Sequence, residues 1–196
     1  MYCGATPVFV DIDIRTFNID VNQIVQKITS KTKAIIPVHL FGLCANIDEI
    51  KKIAPGLKIV EDGACAAGAG IEDRPAGSLG DIGCFSFHPR KAITTGEGGM
   101  ITTQDDEKAK LSQTLRDHGA SRSDFQRHNQ KYSFLLAEYH HLGFNFRMTD
   151  IQGALGVTQM QKADRIMAGR RQGAKQYDEL LQGLDWLQLP FKHEDY

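Results

Sequence analysis

The hydrophobic residues along the chain follow two spacings, one typical of buried strands and the other of amphipathic helices. Short apolar runs that predict β-strands lie at 7–11, 34–40, 58–62, 81–88 and 99–103. Apolar residues three and four positions apart predict helices at 20–28, 46–54, 105–118 and 150–181. Strands that alternate with helices in this way are typical of an α/β domain with a mostly parallel sheet flanked by helices.

Capping residues support three of the predicted helices. Asp20, Asn46 and Thr149 stand immediately before helical segments, and each is followed three positions later by a glutamine or glutamate. The helix that begins at Asp150 is expected to be long, with Gly169 and Gly173 as weak points in its middle.

A polar, basic segment separates the predicted sheet from this last helix. Residues 120–140 are expected to form an exposed loop. We divide the chain into a large domain at 1–148, incomplete at its N-terminus, and a segment at 149–196 that holds the long helix and the start of a mostly missing small domain. The first apolar run has almost no lead-in, so we expect the chain to be part of a longer protein.

Composition and charge narrow the class of protein. A length of 196 residues suits one domain with or without an appendage, and a hydrophobic content of 41% suffices for a core. The formal net charge of −1 gives no basic surface for nucleic acid, and no apolar run is long enough to span a membrane. Four cysteines without CxxC spacing are typical of reduced thiols, so we expect a cytoplasmic protein.

Residues whose side chains could take part in catalysis or ligand binding stand at the carboxyl ends of the predicted strands, where α/β sheets bind ligands. Asp62 ends one strand, Ser86 and Lys91 end or follow another, and Gly96–Gly99 lies just beyond. A lysine beside an apolar strand end can attack a carbonyl as a neutral amine, and a carboxylate can hold a protonated pyridine nitrogen. A hydroxyl and free backbone N–H groups suit a phosphate. Pyridoxal phosphate (PLP) needs all three.

Each of these residues also has an ordinary structural interpretation. An aspartate at a strand end is commonly a turn residue, a lysine there is commonly solvated, and clustered glycines commonly form a tight turn. The glycines at 96–99 match neither the dinucleotide-binding nor the Walker pattern, which disfavours a phosphate-binding NTPase. Spacing alone therefore leaves PLP as one interpretation among several.

Longer stretches of the sequence resemble one known family. These stretches are VEDGACAAGA at 60–69, GSLGDIGCFSFHPRKAITTGEGGMITT at 77–103, GFNFRMTDIQGALGVTQMQKAD at 143–164, GATPVFVDID at 4–13 and PVHLFG at 37–42. These stretches cover nearly the whole chain and follow one another along it in the same order as in the family. They resemble the DegT/DnrJ/StrS-type nucleotide-sugar aminotransferases, which are fold-type I PLP enzymes. The resemblance implies that the domain at 1–148 binds PLP and that the chain is about half of a family member.

The resemblance also implies roles for five residues. Lys91 matches the lysine that holds PLP as a Schiff base and moves the proton during catalysis. Asp62 matches the carboxylate on the pyridine nitrogen, and Ser86 matches a hydroxyl that binds the phosphate. Asn145 matches an asparagine that reaches the phosphate in the neighbouring subunit, which implies a homodimer with shared active sites. Cys65 stands where the family commonly has a glutamine near the cofactor's phenolic oxygen, and a thiol is a weaker hydrogen-bond partner.

Weaker predictions concern other polar residues. His88 is a candidate for lining the site, although a packing role is equally compatible with its position. Arg147 is a candidate for a substrate phosphate or carboxylate, although a structural salt bridge is favoured. His140 and His141 would face opposite ways on a strand, so no metal site is expected there.

The implied reaction is a transamination in two halves. An amino acid, expected to be glutamate, gives its amino group to PLP, and the aminated cofactor then converts a ketone on a nucleotide-linked deoxysugar into an amine for polysaccharide or glycoconjugate synthesis. A PLP-dependent sugar dehydratase is an alternative, but such relatives carry histidine where Lys91 stands. A non-catalytic regulatory or ligand-binding fragment is a second alternative, disfavoured by the intact set of Lys91, Asp62 and Ser86.

Overall fold

The computed structural model describes residues 2–121 and 138–192, which form an α/β unit around a central sheet. The strands are β1 (Ala34–Ile35), β2 (Lys58–Asp62), β3 (Gly70–Ile71), β4 (Arg74–Pro75), β5 (Ile82–Ser86) and β6 (Gly99–Thr102). The helices are α1 (Val21–Ile24), α2 (Ile47–Ile53), α3 (Asp106–Arg116), α4 (Asp150–Met160) and α5 (Ala163–Leu181), with 3₁₀ turns at Val25–Lys27 and Leu40–Gly42.

The main sheet of the described residues has the strand order β1-β2-β5-β6. Strands β1, β2 and β5 run parallel, and β6 pairs antiparallel with β5. The short strands β3 and β4 form a separate antiparallel hairpin. A mostly parallel sheet with flanking helices, as the sequence predicts, is therefore confirmed.

The core lies between the sheet and α2. The Asn46 side chain accepts a hydrogen bond from the Glu49 N–H and so caps α2, as its sequence predicts. The helix turns Ile47 and Ile50 toward the buried Ile59 of β2. The cluster of buried apolar residues contains Ile24, Ile35, Cys44, Ala45, Ile47, Ile50, Ala54, Ile59 and Leu79. These side chains cover one face of the sheet, whereas Asp62 and Ser86 at the carboxyl ends of β2 and β5 are half-buried.

Of the two strands predicted nearest the N-terminus, the first is absent and the second is shorter than predicted. The segment 7–11 pairs with no neighbour as a strand, and its Phe9 is 84% exposed, so apolar residues there have no sheet to join. The predicted strand at 34–40 is reduced to β1, because Pro37 cannot donate to a ladder and the chain enters a 3₁₀ turn at Leu40. One isolated bridge, from Val38 to Asp62, continues the pairing beyond β1.

The long helix predicted over 150–181 is two helices. Thr149 caps α4 with the predicted capping box, but the helix ends at Met160, and α5 begins at Ala163. The Lys162 N–H donates to the Gln159 carbonyl oxygen, which tightens the last turn of α4. Gly169 and Gly173, expected to be the weak points, lie inside an uninterrupted α5. The bend lets the two helices contact different segments of the domain.

The remaining helices follow their predictions closely. Asp20 caps α1, and Asp105 caps α3 by accepting from the backbone N–H groups of Glu107 and Lys108. After α3 the chain turns at Gly119, whose positive φ of 78° and contact with the 141–143 backbone leave no room for a side chain.

The expected exposed loop at 120–140 lies mostly outside the described residues, which omit 122–137. The flanking Ser121 and residues 138–140 are exposed. No helix among the described residues is long and apolar enough to cross a membrane.

Candidate functional site

The parallel arrangement of β2 and β5 brings two of the predicted site residues to one edge of the sheet. Asp62 is the last residue of β2 and pairs in register with Cys84 of β5, so Ser86, two residues after Cys84, ends β5 at the same edge of the sheet. The Gly63 N–H donates to the Cys84 carbonyl oxygen at 2.8 Å, which ties the two strand ends together. Both Asp62 and Ser86 are half-buried.

Lys91 stands in the turn that follows β5. Its backbone N–H donates to the His88 carbonyl oxygen at 2.9 Å, and the His88 N–H donates to the Ser86 hydroxyl oxygen at 3.3 Å. The Lys91 side chain extends to the segment after β2, where its Nζ donates to Cys65 Sγ at 3.1 Å. The structure therefore brings the amine of Lys91 to a residue three positions after Asp62.

The backbone at Asp62 is fixed from the neighbouring strand segment. Its N–H donates to the Pro37 carbonyl oxygen and its carbonyl oxygen accepts from the His39 N–H, both at 2.9 Å. Its carboxylate accepts from the Ala64 N–H at 3.0 Å through one oxygen, Oδ1. This turn holds the carboxylate at the strand end.

A second carboxylate lies one residue earlier, on the opposite face of the sheet. The side chains of Glu61 and His39 are fully buried, and His39 Nε2 is 2.8 Å from Glu61 Oε2. Because His39 Nδ1 accepts from the Ala45 N–H, Nε2 carries the proton that is donated to Glu61. Sequence reasoning missed this pair; the signal was an acidic residue at an inward-facing position of a buried strand.

Glu61 organises the turn before β5. Its carboxylate accepts from the Gly77 N–H at 2.7 Å and from the Gly80 N–H at 2.5 Å. Burial alone would raise the pKa of Glu61, but the hydrogen bonds from His39, Gly80 and Gly77 together hold that pKa below its ordinary value. Glu61 is thus a carboxylate engaged in maintaining the fold.

The glycine-rich segment after Lys91 is a turn. Phe87 pairs with Gly98 through a 2.9 Å backbone hydrogen bond, and Phe87 also accepts from the Thr95 N–H. A side chain at Gly98 would collide with the Thr95 hydroxyl, so the close approach requires glycine. The tight-turn interpretation therefore accounts for the glycines at 96–99.

The last two helices contact the loop that carries Lys91. Gln159 Oε1 of α4 accepts from the Thr94 N–H at 3.4 Å, and the Arg170 guanidinium of α5 donates to the Lys91 carbonyl oxygen at 3.4 Å. Met167 of α5 packs close to Gly68. These contacts hold the loop against the segment that follows β2.

Three other candidate residues have contacts of their own. His88 Nδ1 accepts from the Arg90 N–H at 3.2 Å, which places the imidazole in the turn before Lys91. Arg147 donates to Asp117 at 2.8 Å, in agreement with the favoured salt-bridge interpretation. Asn145 is exposed, and its backbone pairs with Asp117 at the end of α3.

No group of three or more histidine, cysteine, aspartate and glutamate side chains is placed to hold a metal ion within residues 2–121 and 138–192. The chemistry of the sheet edge is instead that of an amine, a carboxylate, a hydroxyl and a thiol.

The fold matches solved aminotransferase structures. A sugar aminotransferase from Streptococcus pneumoniae in its PMP form superimposes with a TM-score of 0.83 at 32% identity, over 93% of this chain and 51% of that one. The mostly parallel sheet with flanking helices is thus the fold of this class of enzyme. The DegT/DnrJ/EryC1/StrS aminotransferase family matches residues 1–196, and the chain belongs to it.

Two curated relatives act on nucleotide-linked sugars by name. The chain is 44% identical to GDP-perosamine synthase of Caulobacter vibrioides over 92% of this chain and 46% of the relative. It is 42% identical to UDP-N-acetyl-3-dehydro-alpha-D-glucosamine 3-aminotransferase of Acidithiobacillus ferrooxidans, over 97% of this chain and 48% of the relative. The chain spans about half the length of the curated relatives it matches.

Proposed function

We propose that this chain is the cofactor-binding part of a PLP-dependent aminotransferase that acts on a nucleotide-linked keto-deoxysugar. The observation that carries the proposal is the side chain of Lys91, whose amine reaches the segment directly after Asp62 while Ser86 ends the adjacent strand. A PMP form and a PLP form of the same S. pneumoniae enzyme lie among the similar structures, which supports PLP as the cofactor.

The residues at the sheet edge fit this cofactor. Asp62 is a half-buried carboxylate fixed at a strand end, which suits a protonated ring nitrogen. The Ser86 hydroxyl accepts from the His88 N–H, which leaves its own hydrogen available to donate to a phosphate. Cys65 contacts the Lys91 amine directly, so it would lie beside the cofactor's attachment point.

PLP, when bound, supplies an electron sink for charge that develops next to the transferred nitrogen. Lys91 provides the amine that holds the cofactor and then carries a proton to and from the reacting carbon. Asp62 keeps a negative charge at the ring nitrogen, which is most effective where water is partly excluded. The turn 88–91 aims the lysine, because the His88 carbonyl oxygen fixes the Lys91 backbone.

The substrates and the assembly are further parts of the proposal. The names of the two curated relatives support a GDP- or UDP-linked sugar as amino acceptor, and we propose an amino acid, glutamate, as donor. The exposed Asn145 supports a homodimer in which this side chain reaches the partner's site.

We propose that residues 1–148 form the cofactor domain and that 149–196 open a second domain. Four free cysteines support a cytoplasmic location.

The test is to mix the protein with PLP, reduce it with borohydride and map the adduct by mass spectrometry. We expect the label on Lys91, and its loss in Lys91→Arg. The matched control is Lys110→Arg, which changes an exposed lysine of α3 and should leave the label in place. Label spread over surface lysines, or a protein that contains the whole chain and leaves Lys91 unlabelled, would contradict the proposal.

A further inference from the structure

The contact between Lys91 and Cys65 joins two nucleophiles. Lys91 Nζ and Cys65 Sγ are 3.1 Å apart, and Cys65 is exposed while Lys91 is half-buried. A nitrogen at this distance lies close enough to form a bond to the sulfur after a small movement of either side chain. We propose that Cys65 and Lys91 are a modification site at which a peroxide oxidant links the two side chains by a covalent S–N bond.

The chemistry proceeds in two balanced steps. In the first, hydrogen peroxide oxidises the thiol of Cys65 to a sulfenic acid and releases water, so that sulfur loses two electrons and the peroxide oxygens gain them. In the second, the lone pair of the neutral Lys91 amine attacks the sulfur, the S–OH bond breaks, and the hydroxyl leaves as water with a proton from nitrogen. The product is a sulfenamide that contains two hydrogen atoms fewer than the two original side chains.

A small thiol reverses the linkage. It attacks the sulfur, returns the free amine of Lys91, and leaves a mixed disulfide on Cys65; a second thiol then regenerates the cysteine and carries away a disulfide. The site is therefore expected to respond to the balance between peroxide and thiols.

The other cysteines differ from Cys65 in the properties that this chemistry needs. Burial raises the pKa of Cys44 to about 11 and also raises the pKa of Cys84, so their reactive thiolate forms are scarce. Cys3 is exposed in the N-terminal segment, which makes it a matched control for access by the oxidant. Cys65 alone of the four has a hydrogen bond with a lysine amine among the described residues.

The consequence of the bond depends on the proposed function, whereas the bond itself does not. Lys91 is the amine that would hold PLP, so an oxidised protein would have no free amine for the cofactor. The linkage can be measured without cofactor or substrate. A failure of the S–N bond would therefore leave the PLP label on Lys91 unaffected, and the two proposals fail separately.

The experiment treats the cofactor-free protein with hydrogen peroxide in mildly alkaline buffer, where more amine is unprotonated, and then digests it without reductant. We expect a cross-linked peptide pair that joins Cys65 to Lys91 and weighs two hydrogens less than the sum of its parts. An amine-acylating reagent should lose its reaction with Lys91 after oxidation and regain it after dithiothreitol. Cys3→Ser should behave like the unaltered protein.

Two variants keep the result interpretable. In Cys65→Ser, acylation of Lys91 should not change with peroxide. In Lys91→Arg, the sulfenic acid should persist and be trapped by a cyclic 1,3-diketone. If peroxide adds only oxygen atoms to Cys65 of the unaltered protein while Lys91 stays fully reactive, the proposed linkage is wrong. Loss of Lys91 reactivity in Cys65→Ser would likewise overturn it.

Discussion

Two acidic residues end β2 side by side, and the structure uses them in opposite ways. Glu61 is fully buried and accepts hydrogen bonds from His39, Gly77 and Gly80. Asp62 is half-buried at the strand end and has the Ala64 N–H as the donor to its Oδ1. Because successive side chains of a strand point to opposite faces, Glu61 faces the core and Asp62 faces the other side of the sheet at the end of β2.

The difference shows how a folded protein keeps a carboxylate available for chemistry. A buried carboxylate must be fully hydrogen-bonded, and Glu61 meets that condition by joining three separate segments of the chain. The Asp62 carboxylate needs fewer hydrogen bonds from the protein because water reaches it. Glu61 thus stabilises the fold, the neighbouring Asp62 is the residue proposed to bind the cofactor, and substitutions should separate the two roles.

Loss of the buried carboxylate should produce the largest effect. Glu61→Ala leaves His39 and two backbone N–H groups without their acceptor, and breaking a buried pair of this kind costs about 3–5 kcal/mol. The free energy of unfolding, measured by urea denaturation, should fall by that amount. Glu107→Ala, which removes an exposed carboxylate of α3, is the control, and a comparable loss there would refute the contrast.

Acid should weaken the same contact. The pKa of Glu61 lies below its ordinary value of 4.5 in the folded protein, so the stabilisation is present above that value and is lost as pH falls through the folded pKa. The unfolded state binds the extra proton in this window. The stability difference between the unaltered protein and Glu61→Gln should therefore shrink as urea unfolding is repeated from about pH 7 to about pH 3. A difference that is constant with pH would mean that the charge of Glu61 does not matter.

Substitution at Asp62 should affect function and spare the fold. Asn can still accept from the Ala64 N–H, so Asp62→Asn should change the free energy of unfolding by no more than about 0.5 kcal/mol. If Asp62 faces the cofactor's ring nitrogen as proposed, loss of its negative charge should lower kcat by about 10²–10³-fold in an aminotransferase assay of a protein that contains the whole chain. A variant that unfolds like Glu61→Ala, or one with unchanged kcat, would show that the two carboxylates are not divided in this way.

The smallest effect is expected at the helix cap beneath Glu61. Asn46→Ala removes the acceptor for the Glu49 N–H and should cost about 1 kcal/mol of unfolding free energy. Asn46→Asp keeps the cap and should restore most of it. Because α2 packs on the core face of β2, labelling of Lys91 by PLP should be unchanged in both variants. Reduced labelling would indicate that the two faces are coupled.

The elements around the core could be predicted from the sequence because local and tertiary preferences agree there. Strand β2 has its predicted bounds, and α2 begins after its predicted cap. At 7–11 an apolar run has no neighbouring strand to pair with. The break between α4 and α5 escaped prediction because it follows contacts with distant segments, not a local helix-breaking residue.

The site was predictable in its parts but not in its contacts. Parallel strands place Asp62 and Ser86 at one edge, which the strand assignments already imply. The approach of Lys91 to Cys65 depends on the path of a turn, and spacing gives no account of that path. The role of Glu61 was not predicted, because the sequence does not distinguish two adjacent acidic residues until it is known which face of the strand is buried.

The contacts of α4 and α5 with the Lys91 loop have a consequence for the order of synthesis. Thr94 bonds to a residue 65 positions later, and the Lys91 carbonyl oxygen bonds to one 79 positions later. A chain that grows from its N-terminus can pair β2 with β5 early, because both strands emerge together. The loop that carries Lys91 can make these two contacts only after Gln159 and Arg170 have left the ribosome. The position of this loop is therefore set later than the pairing of β2 with β5.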